Sequence, residues 1–110
     1  AQVDEYTAAP WWAAAGEAGG GHDWLIEFRT PPYSIEAFAQ ALDTALKASN
    51  SDYEAKRYKS MVLQPPRVHV AAPGTFHNWL KSKGKLGGQN KVPRLMNDRS
   101  LIDELIGANL

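Results

Sequence analysis

The chain has 110 residues, and its 12 Lys+Arg residues balance 12 Asp+Glu residues, so the formal net charge is zero. This length predicts a single domain, and the neutral balance excludes a surface that attracts polyanions over its whole area. The chain contains no cysteine, which excludes a disulfide framework and a thiolate metal site, and which is compatible with the cytoplasmic location that we expect. Apolar runs are far shorter than the roughly 18 residues of a membrane span, so we expect no membrane contact.

The first thirty residues predict two strands. Residues 2–7 alternate apolar and polar side chains, which is typical of a short strand. Residues 8–21 are rich in alanine and glycine and include Trp11-Trp12, and their run of three glycines indicates a mobile loop. Residues 22–29 show the stronger strand pattern. Its two faces carry Trp24, Ile26 and Phe28 on one side and Leu25 and Glu27 on the other.

Two helices follow these strands. Ser34 is the predicted N-cap of an amphipathic helix over residues 35–48, because its hydroxyl can accept a hydrogen bond from the first helical turn. The sequence Ser51-Asp52-Tyr53-Glu54 has the form of a capping box and predicts a shorter helix that reaches about Ser60.

The second half of the chain predicts one more strand and two more helices. Residues 67–71 alternate as a third strand, and Thr75 is the predicted cap of a helix that presents Phe76, Trp79 and Leu80. The last helix has one apolar stripe and three candidate caps. The stripe is Leu101, Ile102, Leu105 and Ile106, and the candidate caps are Asn97, Asp98 and Ser100.

This order of elements predicts an α+β (α/β-like) domain, with a small sheet of about three strands covered by helices. The second and third strands are joined by a helical crossover, so we expect them to be parallel and the connection to be right-handed.

A basic segment over residues 81–94 contains four lysines, one arginine and three glycines, without an acidic residue. Glycines allow a ligand to approach the backbone, and lysines supply mobile positive charge, so the segment is a candidate anion site. The alternative is a solvated connection between two helices. The segment lacks the spacing of a Walker-type phosphate loop. Lys91 differs from the earlier lysines, because it is followed by the rigid Val92-Pro93 step.

Other polar residues do not indicate a second chemistry. His22, His69 and His77 have no metal-ligand spacing, so we expect no metal site and interpret all three as surface or hydrogen-bonded structural residues. Tyr53 and Arg57 share a helical face with Lys56, which could bind nucleic acid, but aromatic residues at this spacing are more often core. We therefore expect Arg57 to pair with a carboxylate or a carbonyl inside the domain.

The pattern Gln-x-Lys-x-Pro-Arg, formed by Gln89, Lys91, Pro93 and Arg94, resembles the C-terminal end of the auxin-responsive (Gretchen Hagen) acyl acid amido synthetases. The resemblance extends over nearly the whole chain, through Trp24-Leu25-Ile26-Glu27-Phe28, residues 50–57 and residues 74–80. The variant with Gly87-Gly88 and Asn90 looks closer to bacterial members than to plant members.

The resemblance implies an adenylate-forming enzyme that uses ATP with Mg²⁺ to join an acyl acid to an amine or amino acid. It implies that residues 1–110 are the single C-terminal lid domain, which rotates over an N-terminal adenylation domain that this chain lacks. That missing domain would bind most of the ATP and both small-molecule substrates, so the isolated chain is expected to be inactive. A surface that normally meets it would then be exposed, with Trp11, Trp12 or Trp79 as candidates.

The same resemblance implies roles for the residues of the basic segment. Lys91 corresponds to the lysine that assists adenylation, and Asn90 stands where the superfamily pattern has glycine. Lys85 would contact phosphate as a secondary cation, and Pro93 and Arg94 would anchor the loop. The remaining phosphate- or nucleotide-contacting residues would be Gly87, Gly88 and Gln89.

Two alternatives from other classes stay open at the level of sequence. The first is a small phosphate- or nucleic-acid-binding module that uses the basic glycine-rich loop. The second is an interaction domain that dimerises through an apolar face. Salt-dependent nucleic acid binding would favour the first, and concentration-dependent sedimentation would favour the second.

Overall fold

The computed structural model describes residues 2–12, 19–58, 63–83 and 92–108. These ranges contain three strands and four helices, in the order β1 (Gln2–Trp12), β2 (Gly20–Thr30), α1 (Ile35–Ser49), α2 (Ser51–Arg57), β3 (Arg67–Val70), α3 (Thr75–Ser82) and α4 (Ser100–Ala108). The sheet has the order β1-β2-β3, with β2 antiparallel to β1 and parallel to β3. The predicted α+β class, the three-stranded sheet and the parallel pairing are confirmed. Over these same ranges, no helix has the length and apolar composition that crossing a membrane requires.

The hairpin of β1 and β2 is longer than the sequence patterns indicate. A loop predicted over residues 8–21 is wrong at both ends, because β1 continues to Trp12 and pairs there with Gly20. Gly21 lies opposite Trp11, and a Cβ atom at Gly21 would come within 2.8 Å of the Trp11 indole nitrogen. The glycine is therefore required by cross-strand packing of a large ring and does not mark a loop.

Both faces of the sheet are covered, as the alternation in β2 predicts. Leu25 belongs to the main core, whose other buried members are Ala9, Ala71, Phe76, Val92, Leu101, Ile102 and Leu105. On the opposite face, Phe28 packs edge-on against Phe38 of α1, with 5.1 Å between the ring centroids. The main core thus lies between the sheet and the pair α3 and α4, while α1 covers the other face.

Helix boundaries follow local capping, and the structure corrects two predicted caps. Ser34 accepts a hydrogen bond from the Ala37 amide at 3.1 Å, which confirms that it is the N-cap of α1. The cap of α2 is Asn50, one residue earlier than predicted, because its extended backbone lets the side-chain oxygen accept from the Tyr53 amide. The cap of α3 is Gly74, at φ 86°, and Thr75 is the first helical residue. Left-handed backbone favours glycine at that position.

The α2 helix also ends earlier than predicted, at Arg57 instead of about Ser60, and residues 59–62 lie outside the described ranges. At the end of the domain, α4 begins at Ser100, and the Asp98 carboxylate accepts hydrogen bonds from both the amide and the hydroxyl of Ser100. Asp98 is one of the three candidate caps.

A buried ion pair holds α2 against α1. The Asp43 carboxylate accepts two hydrogen bonds from Arg57, through Nε and Nη2, both at 2.7 Å, and a third from the Tyr53 hydroxyl at 2.7 Å. The bonds from Arg57 lower the pKa of Asp43, although its burial acts in the opposite direction. The prediction that Arg57 pairs inside the domain is confirmed. Since Tyr53 and Arg57 face Asp43, they do not form the surface that would favour nucleic acid.

We expect replacement of Arg57 by leucine to lower the free energy of unfolding by about 3–5 kcal/mol, because it leaves the buried Asp43 charge without its main partner. Lys47 contacts the same carboxylate at 3.3 Å from a more exposed position, and Lys47→Leu is the matched control, with an expected cost below about 1 kcal/mol. Urea denaturation followed by tryptophan fluorescence measures both values. Equal costs for the two variants would contradict the assignment of Arg57 as the main partner.

Candidate functional site

The end of the basic segment lies along the outer edge of β1. Val92 is 4% exposed and belongs to the main core. The Ala8 amide donates to the Arg94 carbonyl at 2.9 Å, and the Met96 amide donates to the Ala8 carbonyl at the same distance. Ala8 and Leu95 therefore form a short parallel bridge. We call residues 92–96 the anchored segment.

Side chains of β1 add two further contacts to the anchored segment. The Thr7 hydroxyl donates to the Pro93 carbonyl at 2.7 Å, and Thr7 is completely buried. Arg94 donates to Glu5 at 3.2 Å, and its guanidinium lies 5.1 Å from the centre of the Tyr6 ring. The Arg94 side chain is 61% exposed, so its ion pair contributes only about 0–1 kcal/mol. The buried Thr7 contact and the backbone bonds carry more of the attachment.

The beginning of the basic segment, residues 81–83, is held by α3 and α4. The Lys83 amide donates to the Trp79 carbonyl at 3.1 Å, and the Lys83 ammonium lies 3.0 Å from the Glu104 carboxylate. Five of the predicted site residues, Lys85, Gly87, Gly88, Gln89 and Lys91, lie between these two held ends in the sequence and outside the described ranges. Their roles stay predictions, as does the anchoring role of Pro93 and Arg94, for which the contacts above supply the required geometry.

An open cleft of about 350 Å³ lies between α3 and α4, beside both held ends. It is lined by Trp79, Lys83, Pro93, Met96, Ser100, Leu101 and Glu104. This volume is at the lower limit of ligand pockets, which hold roughly 300–1,000 Å³. The cleft can therefore cover one side of a ligand but cannot enclose a nucleotide by itself.

A second polar cluster surrounds Asp23 on the same face of the sheet as the main core. The Asp23 carboxylate accepts two hydrogen bonds from Arg67, at 2.7 and 2.8 Å, and one from Arg99 at 2.7 Å. His69 lies 2.9 Å from the same carboxylate, which confirms its interpretation as a hydrogen-bonded residue. Arg67 also stacks on the Trp11 ring at 4.2 Å. These contacts connect β1, β2, β3 and the start of α4.

The environment of Asp23 makes it a structural carboxylate. Its burial raises the pKa, but the hydrogen bonds from Arg67, His69 and Arg99 lower it more, and the resulting pKa is about 2. A carboxylate with this pKa and with three side-chain partners is a poor general base at neutral pH. The cluster therefore stabilises the fold and has no evident role in proton transfer.

Comparison with known proteins identifies the family. Residues 1–100 match the model of the GH3 family C-terminal domain. The chain belongs to the GH3 family. A search of curated proteins gave no significant match.

Solved structures show the same fold. A structure titled GH3.15 acyl acid amido synthetase matches with a TM-score of 0.70 and 16% identity, over 97% of this chain and 19% of the other. A second, titled AtGH3.15 acyl acid amido synthetase in complex with 2,4-DB, matches with a TM-score of 0.61 and 16% identity, over 97% of this chain and 20% of the other. This GH3 domain thus spans about a fifth of the length of these solved chains.

Sequence reasoning did not identify Thr7, Ala8 or Glu5 as part of the site. Their partners lie more than eighty residues away along the chain, and a strand of alternating residues carries no signal for such a contact. The tryptophans considered for an exposed surface differ in the structure. Trp12 is 68% exposed, whereas Trp11 and Trp79 are partly buried.

We expect the stability of the GH3 domain to fall in acid through Asp23. Its folded-state pKa is below its unfolded value of 3.8, so its contribution is complete above that pH and is lost as the pH falls towards 2. The expected loss in the free energy of unfolding is about 2 kcal/mol. Asp23→Asn should remove this part of the pH dependence and should also lower stability at neutral pH.

Urea denaturation at a series of pH values measures this effect as the difference between the wild type and the variant. Asp4→Asn is the control, because Asp4 forms an exposed pair with Arg29 that contributes less than about 1 kcal/mol. An unchanged difference between wild type and Asp23→Asn from pH 6 to about pH 2 would contradict the assignment.

Proposed function

We propose that this chain is the C-terminal lid domain of an ATP-dependent ligase that joins a carboxylic acid to an amine or amino acid through an acyl-adenylate. The observation that carries the proposal is the GH3 family match over residues 1–100, which includes the motif around Lys91. In this proposal Lys91 supplies the cation for adenylation, and a preceding N-terminal domain supplies the pockets for ATP and the acyl acid.

The chemistry requires a positive charge near the reacting phosphate. The acyl carboxylate attacks the α-phosphorus of ATP, the acyl-phosphate bond forms, and pyrophosphate leaves. Negative charge accumulates around the phosphorus in the transition state, and a positioned ammonium group stabilises it. Holding the cation and the carboxylate in line also removes the entropic cost of bringing them together. Mg²⁺ would accompany ATP as part of the substrate, held mainly by the N-terminal domain.

The geometry around the motif suits a cation that moves with its domain. Lys91 directly precedes the buried Val92, and the anchored segment continues along β1. A rigid-body movement of the domain would therefore carry the end of the motif, from Val92 to Arg94, with the core. Removal of the lysine after adenylation would leave space for the amine to attack the acyl-adenylate.

We expect Lys91→Ala in the full-length protein to slow adenylation by about 10²–10³-fold, the usual effect of losing one transition-state contact. Acid-dependent pyrophosphate exchange into ATP, with a panel of carboxylic acids, measures this half-reaction. Attack of the amine on preformed acyl-adenylate should keep its rate, because Lys91 is not used there. Equal losses in both half-reactions would refute the proposed role.

We expect Lys85→Ala to reduce exchange by about fivefold or less, as for one exposed charge contact. The reason is its position in the series after α3, where lysines offset the helix dipole. The same exchange assay makes the comparison, and an effect as large as that of Lys91→Ala would reverse the ranking of the two lysines.

A further inference from the structure

We propose that Thr7 is a positioning residue for adenylation: its buried hydroxyl holds the Pro93 carbonyl and thereby fixes where the anchored segment joins Lys91. The inference rests on the proposed function of Lys91 and extends it to a residue at the opposite end of the chain. Thr7 itself touches no substrate in this proposal. It acts only through the backbone that follows the lysine.

The contact is short and joins two distant parts of the chain. The Thr7 hydroxyl donates to the Pro93 carbonyl at 2.7 Å, and the two residues are 86 positions apart in the sequence. Thr7 is 0% exposed, so water does not compete for its hydroxyl. The neighbouring backbone bonds between Ala8 and Arg94 and between Met96 and Ala8 bring the segment to this position.

The Thr7 hydroxyl adds a contact beyond the backbone hydrogen bonds of the anchored segment. Pro93 has no amide hydrogen, so it cannot donate to β1. The described backbone hydrogen bonds from the anchored segment to β1 involve Arg94 and Met96. The Thr7 hydroxyl adds a bond at Pro93 and so extends the attachment by one residue towards Lys91.

Arg94 is a weaker candidate for the same role. Its ion pair with Glu5 is 3.2 Å long, and its side chain is 61% exposed, so solvent and salt screen the contact. Thr7 differs in being buried and in binding a main-chain atom only two positions from Lys91. Because a displacement of about 1 Å can reduce a rate up to about 10²-fold, a small release at Pro93 is sufficient to affect the reaction.

The test compares four variants of the full-length protein. Thr7→Val removes the hydroxyl and keeps the branched shape, Thr7→Ala removes it without that shape, and Thr7→Ser keeps it. Tyr53→Phe is the matched control, because it also removes one partly buried hydroxyl bond of 2.7 Å, to Asp43, away from the segment. Two hydroxyl-free variants are included so that the result does not depend on the folding of one.

We expect Thr7→Val and Thr7→Ala to lower kcat for pyrophosphate exchange by about 10–100-fold, with an unchanged KM for ATP and an unchanged rate of amine attack on preformed acyl-adenylate. Thr7→Ser should recover most of the exchange rate, and Tyr53→Phe should leave it at the wild-type level. Exchange in the hydroxyl-free variants equal to that of Tyr53→Phe would overturn the proposal, and so would equal losses in both half-reactions.

Amide hydrogen exchange separates this inference from the role of Lys91. In Thr7→Val, the amides of Ala8 and Met96 should exchange about fivefold faster than in Tyr53→Phe, which corresponds to one lost hydrogen bond. If Lys91→Ala keeps full pyrophosphate exchange, the function proposed for Lys91 fails. Faster amide exchange in Thr7→Val would then support only the statement that Thr7 holds the anchored segment, and the proposed effect of Thr7 on adenylation would fail with Lys91. Unchanged amide exchange would refute that hold directly.

Discussion

The buried carboxylate of Asp23 is the contact on which the arrangement of the domain depends. It binds Arg67 from β3 and Arg99 from the residue before α4. Arg99 also donates to the Pro10 carbonyl of β1 and to Asp103 of α4. One anion therefore fixes the start of α4 relative to all three strands. A charge this well buried is costly to leave unpaired, which makes the arrangement specific as well as stable.

This constraint also determines where the motif region can lie. The chain between Val92 and Arg99 is held at both ends. The main core and the edge of β1 hold the end at Val92, and Asp23 holds the end at Arg99. Leu101, Ile102 and Leu105 then complete the core against the sheet. Val92, which directly follows Lys91 in the sequence, thus belongs to a rigid part of the domain. The proposed chemistry would need this property, since a cation that is carried by domain rotation must arrive in a defined position.

Local chemistry accounts for the parts of the fold that the sequence predicts well. The α1 helix follows from apolar residues at helical spacing after the Ser34 cap, and β2 follows from alternation between two buried faces. The errors occur where tertiary packing overrides composition. Ala8 and Ala9 look like loop residues, but they are fully buried because small side chains let neighbouring segments approach. Gly21 similarly accommodates the indole of Trp11.

The candidate site could be predicted only in part. Here the limit was the sequence distance between contacting residues, and not the effect of packing on local structure. The motif around Lys91 is recognisable because its residues are consecutive in the chain. The residues that hold the anchored segment, by contrast, are distant from it in the sequence. Glu5, Thr7 and Ala8 belong to β1, and their hydrogen-bond partners belong to the anchored segment. Propensity and periodicity describe neighbours along the chain, so they contain no information about which strand edge receives a distant segment.

The distance in sequence between Thr7 and Pro93 has a consequence for folding. Closing a loop of this length costs conformational entropy before the contact returns any stabilisation, so such contacts form late. During synthesis, β1 leaves the ribosome before the other elements of this domain, and its outer edge can bind the anchored segment only after almost the whole domain has been made. The motif region therefore acquires its attachment only when the rest of the core can already assemble, which ties the proposed catalytic geometry to completion of the fold.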